Sequence, residues 1–332
     1  MEIRPATLDE VRAAQARGDV LKPVRLALCM SSCITSEEMH TNFHATLDRG
    51  FTPINDSIGA YSGSCSIVGA GPTIKETHKE LVGDVIAINS AIGYLLDEGI
   101  VPKFGLLWDG TEVLEKLVRP HPDITYLVAS RCHPKVFEKL KDCKVIVWHA
   151  GGDHNIIEVM GRPEVVEKLK IPQPLILGGS AGVTRTLYVA TVLGYEDIHI
   201  FGADSNYSGN ETHVAGSVVP EKDCMVALGD NSEGAPSLWF RTTPEWCAQV
   251  NEYRSIYTLT VSGNLQALSK DGSTKTVTFE VHGDSLFKTM HDRLVGKRKL
   301  VGDEKFISEM NLQCEEQWKL DGAVSDEVSI PQ

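Results

Sequence analysis

The 332-residue chain has no apolar run near the roughly 18–20 residues that a membrane-spanning helix requires, so no transmembrane segment is expected. Met1 to Asp19 is charged and has no apolar stretch, which argues against a secretory signal there. Positive charge is scarce. Lys and Arg number 32 against 45 Asp and Glu, for a formal charge of −13. An acidic chain repels a phosphate backbone at long range, so nucleic acid is not the expected partner. Of the eight cysteines only Cys29 and Cys33 lie close together. With no second pair at zinc spacing, a cysteine zinc site is not expected. Several of the other cysteines sit inside apolar runs, as free thiols in a reducing cytoplasm do. Two nucleotide motifs are also missing. There is no Gly-Lys-Ser/Thr ending, which excludes a P-loop. After Gly69 and Gly71 no third glycine follows, because Ile74 stands there, and the next strand ends in Asn89 instead of an acid. That departs from the NAD fingerprint.

What the chain does have is alternation. Apolar runs at Cys65–Val68, Val85–Ile88, Phe104–Trp108, Ile124–Val128, Val145–Trp148, Leu175–Leu177 and Ile198–Phe201 read as strands. Val24–Cys29 reads as another. Helical patterns fall between them, at Ser36–Asp48, Ser90–Glu98, Pro134–Leu140, Ala181–Leu193 and Pro244–Ser255. Alternation at this spacing predicts an α/β, Rossmann-like fold with a mainly parallel sheet and helices on both faces. A C-terminal α+β extension follows. Residues 1–60 are expected as an N-terminal β/α extension, 61–215 as the nucleotide-binding core, and 216–332 as an active-site loop and C-terminal extension packing on that core. Asp204 to Leu238, rich in Gly, Ser, Asn and Pro, is expected as a long loop. Lys275–Val281 alternates like an isolated strand, and a helix is expected from Gly302.

Two strand ends run into glycine and then into a helix, Gly69-Ala70-Gly71-Pro72-Thr73 and Gly178-Gly179-Ser180-Ala181-Gly182. Such turns aim backbone N–H groups and a positive helix end at open space, which suits phosphate. They are candidates to hold one nucleotide together, with Asn89 and Ser90 reaching its base or sugar. Ser180 and Thr184 can equally cap the helix between them. Asp109 ends a strand, where a carboxylate can bind Mg²⁺, hold a ribose or cap the next helix. Asp204 ends another, followed by Tyr207 and His213 on a polar loop. His213 is a candidate general base. His282, in His282-Gly283-Asp284, is a second, and His133, His149 and His154 are weaker strand-end candidates.

These segments resemble the MptE-like family, also called the domain-of-unknown-function 115 family. It includes archaeal 6-hydroxymethylpterin diphosphokinases and flagellin-modifying Maf glycosyltransferases. The chain is similar, more distantly, to bacterial sialyltransferases of the Campylobacter type. The matching stretches are Gly69–Thr73, Ala87-Ile88-Asn89-Ser90-Ala91, Gly99–Pro102 leading to Asp109, Gly178–Val183, Leu193-Gly194-Tyr195, and Phe201–Asp204 through His213. The resemblance implies that Gly69, Gly71 and Asn89 hold a nucleotide. In the sialyltransferase branch a second asparagine stands where this chain has Ala70, a serine near Ala181, and a tyrosine near His213.

Three functions are open at this stage. The first is transfer from a nucleotide sugar of the CMP or UDP type to a hydroxyl acceptor, with His213 or His282 as base and Asp204 in the catalytic group. The second is diphosphate transfer from ATP to a hydroxymethyl group, with Mg²⁺ held by Asp109 and Asp204. The third is nucleotide binding without catalysis. The expected partner is a small-molecule nucleotide in the cytoplasm. The acceptor is unnamed and homo-oligomerisation is left open.

Overall fold

A computed structural model describes residues 34–151, 159–209, 211–214, 224–228 and 238–296. The predicted strand Val24–Cys29, His154 and the helix from Gly302 lie outside the described residues. Helix α1 (Ser36–Arg49) opens the described chain. Thr35 caps it through a reciprocal pair, in which the Glu38 amide donates to Thr35 Oγ1 and the Thr35 amide to Glu38 Oε2. Its apolar residues Met39, Phe43 and Leu47 recur every four positions. That spacing buries one stripe against Val159, Val165 and Leu169.

The sheet follows. Its strands are β1 (Thr52–Pro53), β2 (Ser64–Val68), β3 (Asp84–Ile88), β4 (Phe104–Leu107), β5 (Thr125–Ala129), β6 (Lys144–Ala150), β7 (Leu175–Ile176) and β8 (Asp197–Phe201). Helices α2 (Ile74–Thr77), α3 (Ala91–Asp97), α4 (Val113–Leu117), α5 (Pro134–Lys139), α6 (Pro163–Leu169) and α7 (Gly182–Leu193) lie between them. Beyond β8 come β9 (Cys224–Leu228), β10 (Leu238–Thr242), α8 (Pro244–Val261), β11 (Gln266–Leu268), β12 (Thr274–Thr276), β13 (Thr278–Val281) and α9 (Leu286–Leu294). The main sheet has nine strands in the order β1-β6-β5-β4-β3-β2-β8-β13, with β7 also paired to β6. All these pairings are parallel. The α/β Rossmann-like architecture is therefore present. Central strands such as Ile67-Val68 and Leu106-Leu107 are completely buried, as strands covered on both faces must be.

Two expectations about the later chain are corrected. Lys275–Val281 is not an isolated strand. It breaks at Val277 into β12, which pairs with β11, and β13, which adds to the sheet edge beside β8. The side chain of Val277 is buried, and the run on either side of it pairs with different partners. The stretch from Asp204 to Leu238 is not wholly loop, because β9 forms within it and pairs antiparallel with β10. The Gly, Pro and Ser around the short run Cys-Met-Val-Ala-Leu masked it in the sequence. Helix α8 also continues to Val261, past the Ser255 expected from the pattern. No helix among the described residues is long and apolar enough to cross a membrane.

Strand order reverses between β2 and β8, since β3 to β6 lie on one side of β2 and β8 on the other. Ligands of open α/β sheets bind at the carboxyl ends of strands near such a reversal. The loops after β2 and β8 meet there.

Candidate functional site

The first glycine turn is tied down by its neighbour. The Gly69 amide donates to Phe201 O (2.8 Å) and the Gly71 amide to Gly202 O (2.8 Å). Asp204 reaches across, accepting from the Thr73 amide (2.9 Å) and from the Thr73 hydroxyl (2.5 Å). A Cβ on Gly69 would lie 2.4 Å from Gly202 O, and one on Gly71 would lie 2.6 Å from Asp204 Cγ. The glycines are required by close approach of protein to protein. Burial pushes the Asp204 carboxyl up to about 6, against the lowering effect of the two Thr73 bonds. The amides predicted to cradle phosphate are thus already bonded at Gly69, Gly71 and Thr73. Pro72 has no amide proton to offer.

Helix α7 brings the second turn against the first. A Cβ on Gly69 would lie 3.1 Å from Val183 Cγ2, and one on Gly182 2.9 Å from Ile88 Cγ2 and 3.9 Å from Trp108 Nε1. The start of α7 therefore stands over the ends of β2, β3 and β4. Its amide at Ser180 is taken by a residue the sequence reading did not include. Glu252, from α8, accepts from the Ser180 amide at 3.0 and 2.9 Å through its two oxygens. It also accepts from the Thr184 hydroxyl at 3.1 Å. A Cβ on Gly179 would lie 2.6 Å from Glu252 Oε2, so this glycine makes room for the glutamate. The helix cap is Ala181, backed by the Thr184 hydroxyl, and the Ser180 hydroxyl is buried without a hydrogen-bond partner. Gly182 and Val183 open the first turn, where no earlier carbonyl is available to their amides.

The strongest charges at this edge are two arginines that sequence reasoning also missed. Arg185, in the first turn of α7, is 6% exposed. Its Nη1 donates to Gly151 O and Ile176 O, each at 3.0 Å. Its Nε is buried without a hydrogen-bond partner, and its guanidinium lies 5.1 Å from the centre of the Trp108 ring. The guanidinium of Arg131, after β5, lies 5.2 Å from the same ring. Burial first, then repulsion from Arg131, pushes Arg185 down to about 10, while Glu252 and Tyr188 act to raise it. Two cations around one indole, one of them desolvated, make a site that stabilises an anion. A spacing signal existed: Arg131 follows a strand end and Arg185 sits in the turn after a glycine loop.

Asn89 completes this edge. Its backbone is left-handed (φ 47°), a conformation asparagine tolerates better than most residues, and its Oδ1 is buried without a partner. Its own amide donates to Leu106 O (3.1 Å), which fixes the side chain at the end of β3. Ser90 follows it and makes no side-chain cap to α3.

A family model described as 6-hydroxymethylpterin diphosphokinase MptE-like matches residues 38–210, just over half of the sequence. The chain belongs to the MptE-like family. No curated protein matches it. Among solved structures, the Maf glycosyltransferase of Magnetospirillum magneticum AMB-1 aligns with a TM-score of 0.44 at 16% identity. That alignment covers 87% of this chain and 44% of the other, so the MptE-like chain spans less than half the length of that protein.

The remaining expected site residues of this MptE-like chain fall in different places. His213 comes to the first turn, because the Val214 amide donates to Ala70 O (2.9 Å). Its ring makes an edge contact with Trp246 and a 3.1 Å hydrogen bond to the Thr212 hydroxyl. The residue is open to solvent, and partial desolvation of its ring still pushes its pKa below the ordinary value. Tyr207 is buried, with Arg241 over its ring at 4.4 Å and Trp246 beside it, so it packs the loop together. Asp109 accepts from the Thr111 amide (2.9 Å) in a local turn; it does not cap the next helix, α4, whose cap position, Glu112, makes no side-chain capping bond. Asp109 and Asp204 follow β4 and β8, three strand positions apart in the sheet, and the Asp204 carboxylate is committed to the Thr73 amide and hydroxyl. His282 is hydrogen-bonded to His199, at 3.0 Å, instead of facing an open strand end. Of the weaker candidates, His133 caps α5 and His149 is a core residue held by Ser130 and Gln173.

Proposed function

We propose that the protein is a nucleotide-dependent transferase whose ligand phosphates lie between Arg131, Arg185 and the first turn of α7. One observation carries this reading: Arg185 is buried, its guanidinium donates to two backbone carbonyls, and its Nε has no hydrogen-bond partner. A buried guanidinium bonded only to carbonyls is costly unless an anion joins it. Asn89 Oδ1 and the Ser180 hydroxyl, both buried and unpartnered, supply acceptor and donor for the rest of a nucleotide.

Within this class, glycosyl transfer from a nucleotide sugar is the reading we favour. The bond from the sugar's anomeric carbon to phosphate oxygen breaks, and the arginines and the α7 dipole stabilise the departing phosphate. His213, neutral at pH 7 because its pKa is lowered, takes the proton from the acceptor hydroxyl as the new glycosidic bond forms. The family description favours a second reading, diphosphate transfer from ATP. Asp109 would then be the carboxylate available to Mg²⁺, without Asp204.

Thermal shift with CMP, UDP and ATP, each with and without Mg²⁺, separates these readings. A nucleotide at 100 times its Kd stabilises by about 2.7 kcal/mol. We expect CMP or UDP to act without metal, and Arg185→Gln to cut the response by about half or more. ATP acting only with Mg²⁺ supports diphosphate transfer. No response to any nucleotide leaves the site without its ligand and overturns both.

A further inference from the structure

We propose that His199, Glu280 and His282 form a binding site for one divalent transition metal of the zinc class, at the β13 edge of the sheet. The parallel register sets Glu280 directly beside His199 across the β8–β13 pair. Alternation places His282, two residues later, on the same face. His199 Nδ1 lies 3.0 Å from His282 Nε2 and 3.7 Å from Glu280 Oε2, and the three ligand atoms all fall within 4.8 Å of one another. Zinc bonds of 2.0–2.1 Å in tetrahedral geometry separate neighbouring ligands by about 3.3 Å. The observed spacings bracket that value, so small rotations of the side chains suffice.

The surroundings match a metal site more closely than the three ligands alone. A metal-bound histidine usually donates its second ring N–H to a carboxylate, which fixes its tautomer and direction. His199 has such a partner, with Asp197 Oδ2 3.2 Å from its Nε2, while Glu80 Oε2 lies 3.6 Å from His282 Nδ1, within ion-pair reach but beyond a hydrogen bond. Asp197 is held in turn by the hydroxyls of Ser64 (2.7 Å) and Thr278 (3.1 Å). The Phe201 ring stacks on His282 at 4.1 Å and fixes its plane. The histidine side chains are 13% and 19% exposed and Glu280 is 51% exposed, so one side stays open for water as a fourth ligand. Two imidazoles and one carboxylate suit zinc, cobalt or nickel better than magnesium or calcium. The competing reading is a plain hydrogen bond, with one proton shared by the two facing ring nitrogens.

A metal here would tie the last strand to the rest of the sheet. It would also brace the first glycine turn, because Gly283 packs on the Thr73 side chain. The test is to strip the full-length chain with a chelator, titrate it with Co²⁺ and then Zn²⁺, and measure bound metal, visible spectrum and melting temperature. We expect one equivalent of metal, cobalt ligand-field bands with no thiolate charge-transfer band, and a melting temperature that rises until one equivalent is bound. His199→Gln and His282→Gln should weaken binding by more than the roughly 10–100-fold that loss of the outer partner in Asp197→Asn should cost. Glu280→Gln alters an exposed side chain, so it should keep the fold, as judged by circular dichroism, and still lose affinity. A Cys29→Ser, Cys33→Ser double variant should bind like the parent. No bound metal at one equivalent, or equal binding by the parent, Glu280→Gln and His282→Gln, would overturn the site. So would thiolate bands that vanish in the cysteine variant.

Discussion

The two glycine turns look alike in sequence and are used differently. The first is locked into the scaffold, with Gly69 and Gly71 bonded to the β8 loop and Thr73 to Asp204. The second is held by one side chain from a distant helix, Glu252, and stands beside a buried arginine. In both, a carboxylate sits where a phosphate was expected. In the first that carboxylate is buried within the fold. In the second it occupies the Ser180 amide beside the arginines proposed to hold the ligand. A glycine turn before a helix therefore announces an anion site, and the tertiary contacts decide whether the protein fills that site itself.

The largest effect expected from this contrast is on stability. Gly71→Ala must move Asp204 or the Gly202 carbonyl and should cost about 3 kcal/mol or more, read by denaturant unfolding. Gly182→Ala meets the Cγ2 methyl of buried Ile88 at 2.9 Å, with no backbone or carboxylate in the way, and should cost less, about 1–2 kcal/mol, while weakening nucleotide binding. If the two costs are equal, the first turn is not locked.

Asp204 gives a pH test of the same lock. Its folded pKa, about 6, lies above its unfolded value, so it favours the folded state most below the unfolded value. That contribution is lost as pH rises through 6. Relative to the parent, Asp204→Asn should gain up to about 3 kcal/mol between pH 4 and pH 7, from roughly 1.4 kcal/mol per pKa unit. A flat difference across that range would place the carboxylate in water.

Effects on binding come next. Arg185→Gln should lower nucleotide affinity about 10–100-fold, the worth of one charge-assisted bond, measured by calorimetry. Glu252→Gln should do the reverse by a smaller amount. Removing the resident negative charge from the start of α7 should tighten nucleotide binding a few-fold, in line with about 1 kcal/mol for a charge at a helix terminus. Weaker binding in Glu252→Gln would mean that the glutamate holds the site open instead of competing for it.

Much of the scaffold was legible in the sequence. Seven of the apolar runs became strands within a residue or two, because buried parallel strands leave a short continuous apolar signature. Short helices such as α2 and α4, and the break at Val277, were not legible, since four or five residues carry too little periodicity. Within the site, His213 was singled out on a polar loop, and the tertiary structure brings that loop to the first turn. Glu252 was missed because it is an ordinary charged residue within its helix and becomes notable only through a neighbour supplied from elsewhere. His282 was singled out, but its partner His199, inside a strand, was not.

The sequence by itself determined the order of strands and helices, the two glycine turns and the acidic surface, because these follow from local sterics, local periodicity and summed charge. Only the tertiary structure decided which amides were already bonded, which cations were buried around Trp108, and which histidines met at the sheet edge. Those outcomes depend on contacts between residues far apart along the chain, and no local pattern encodes the partner that another segment will bring.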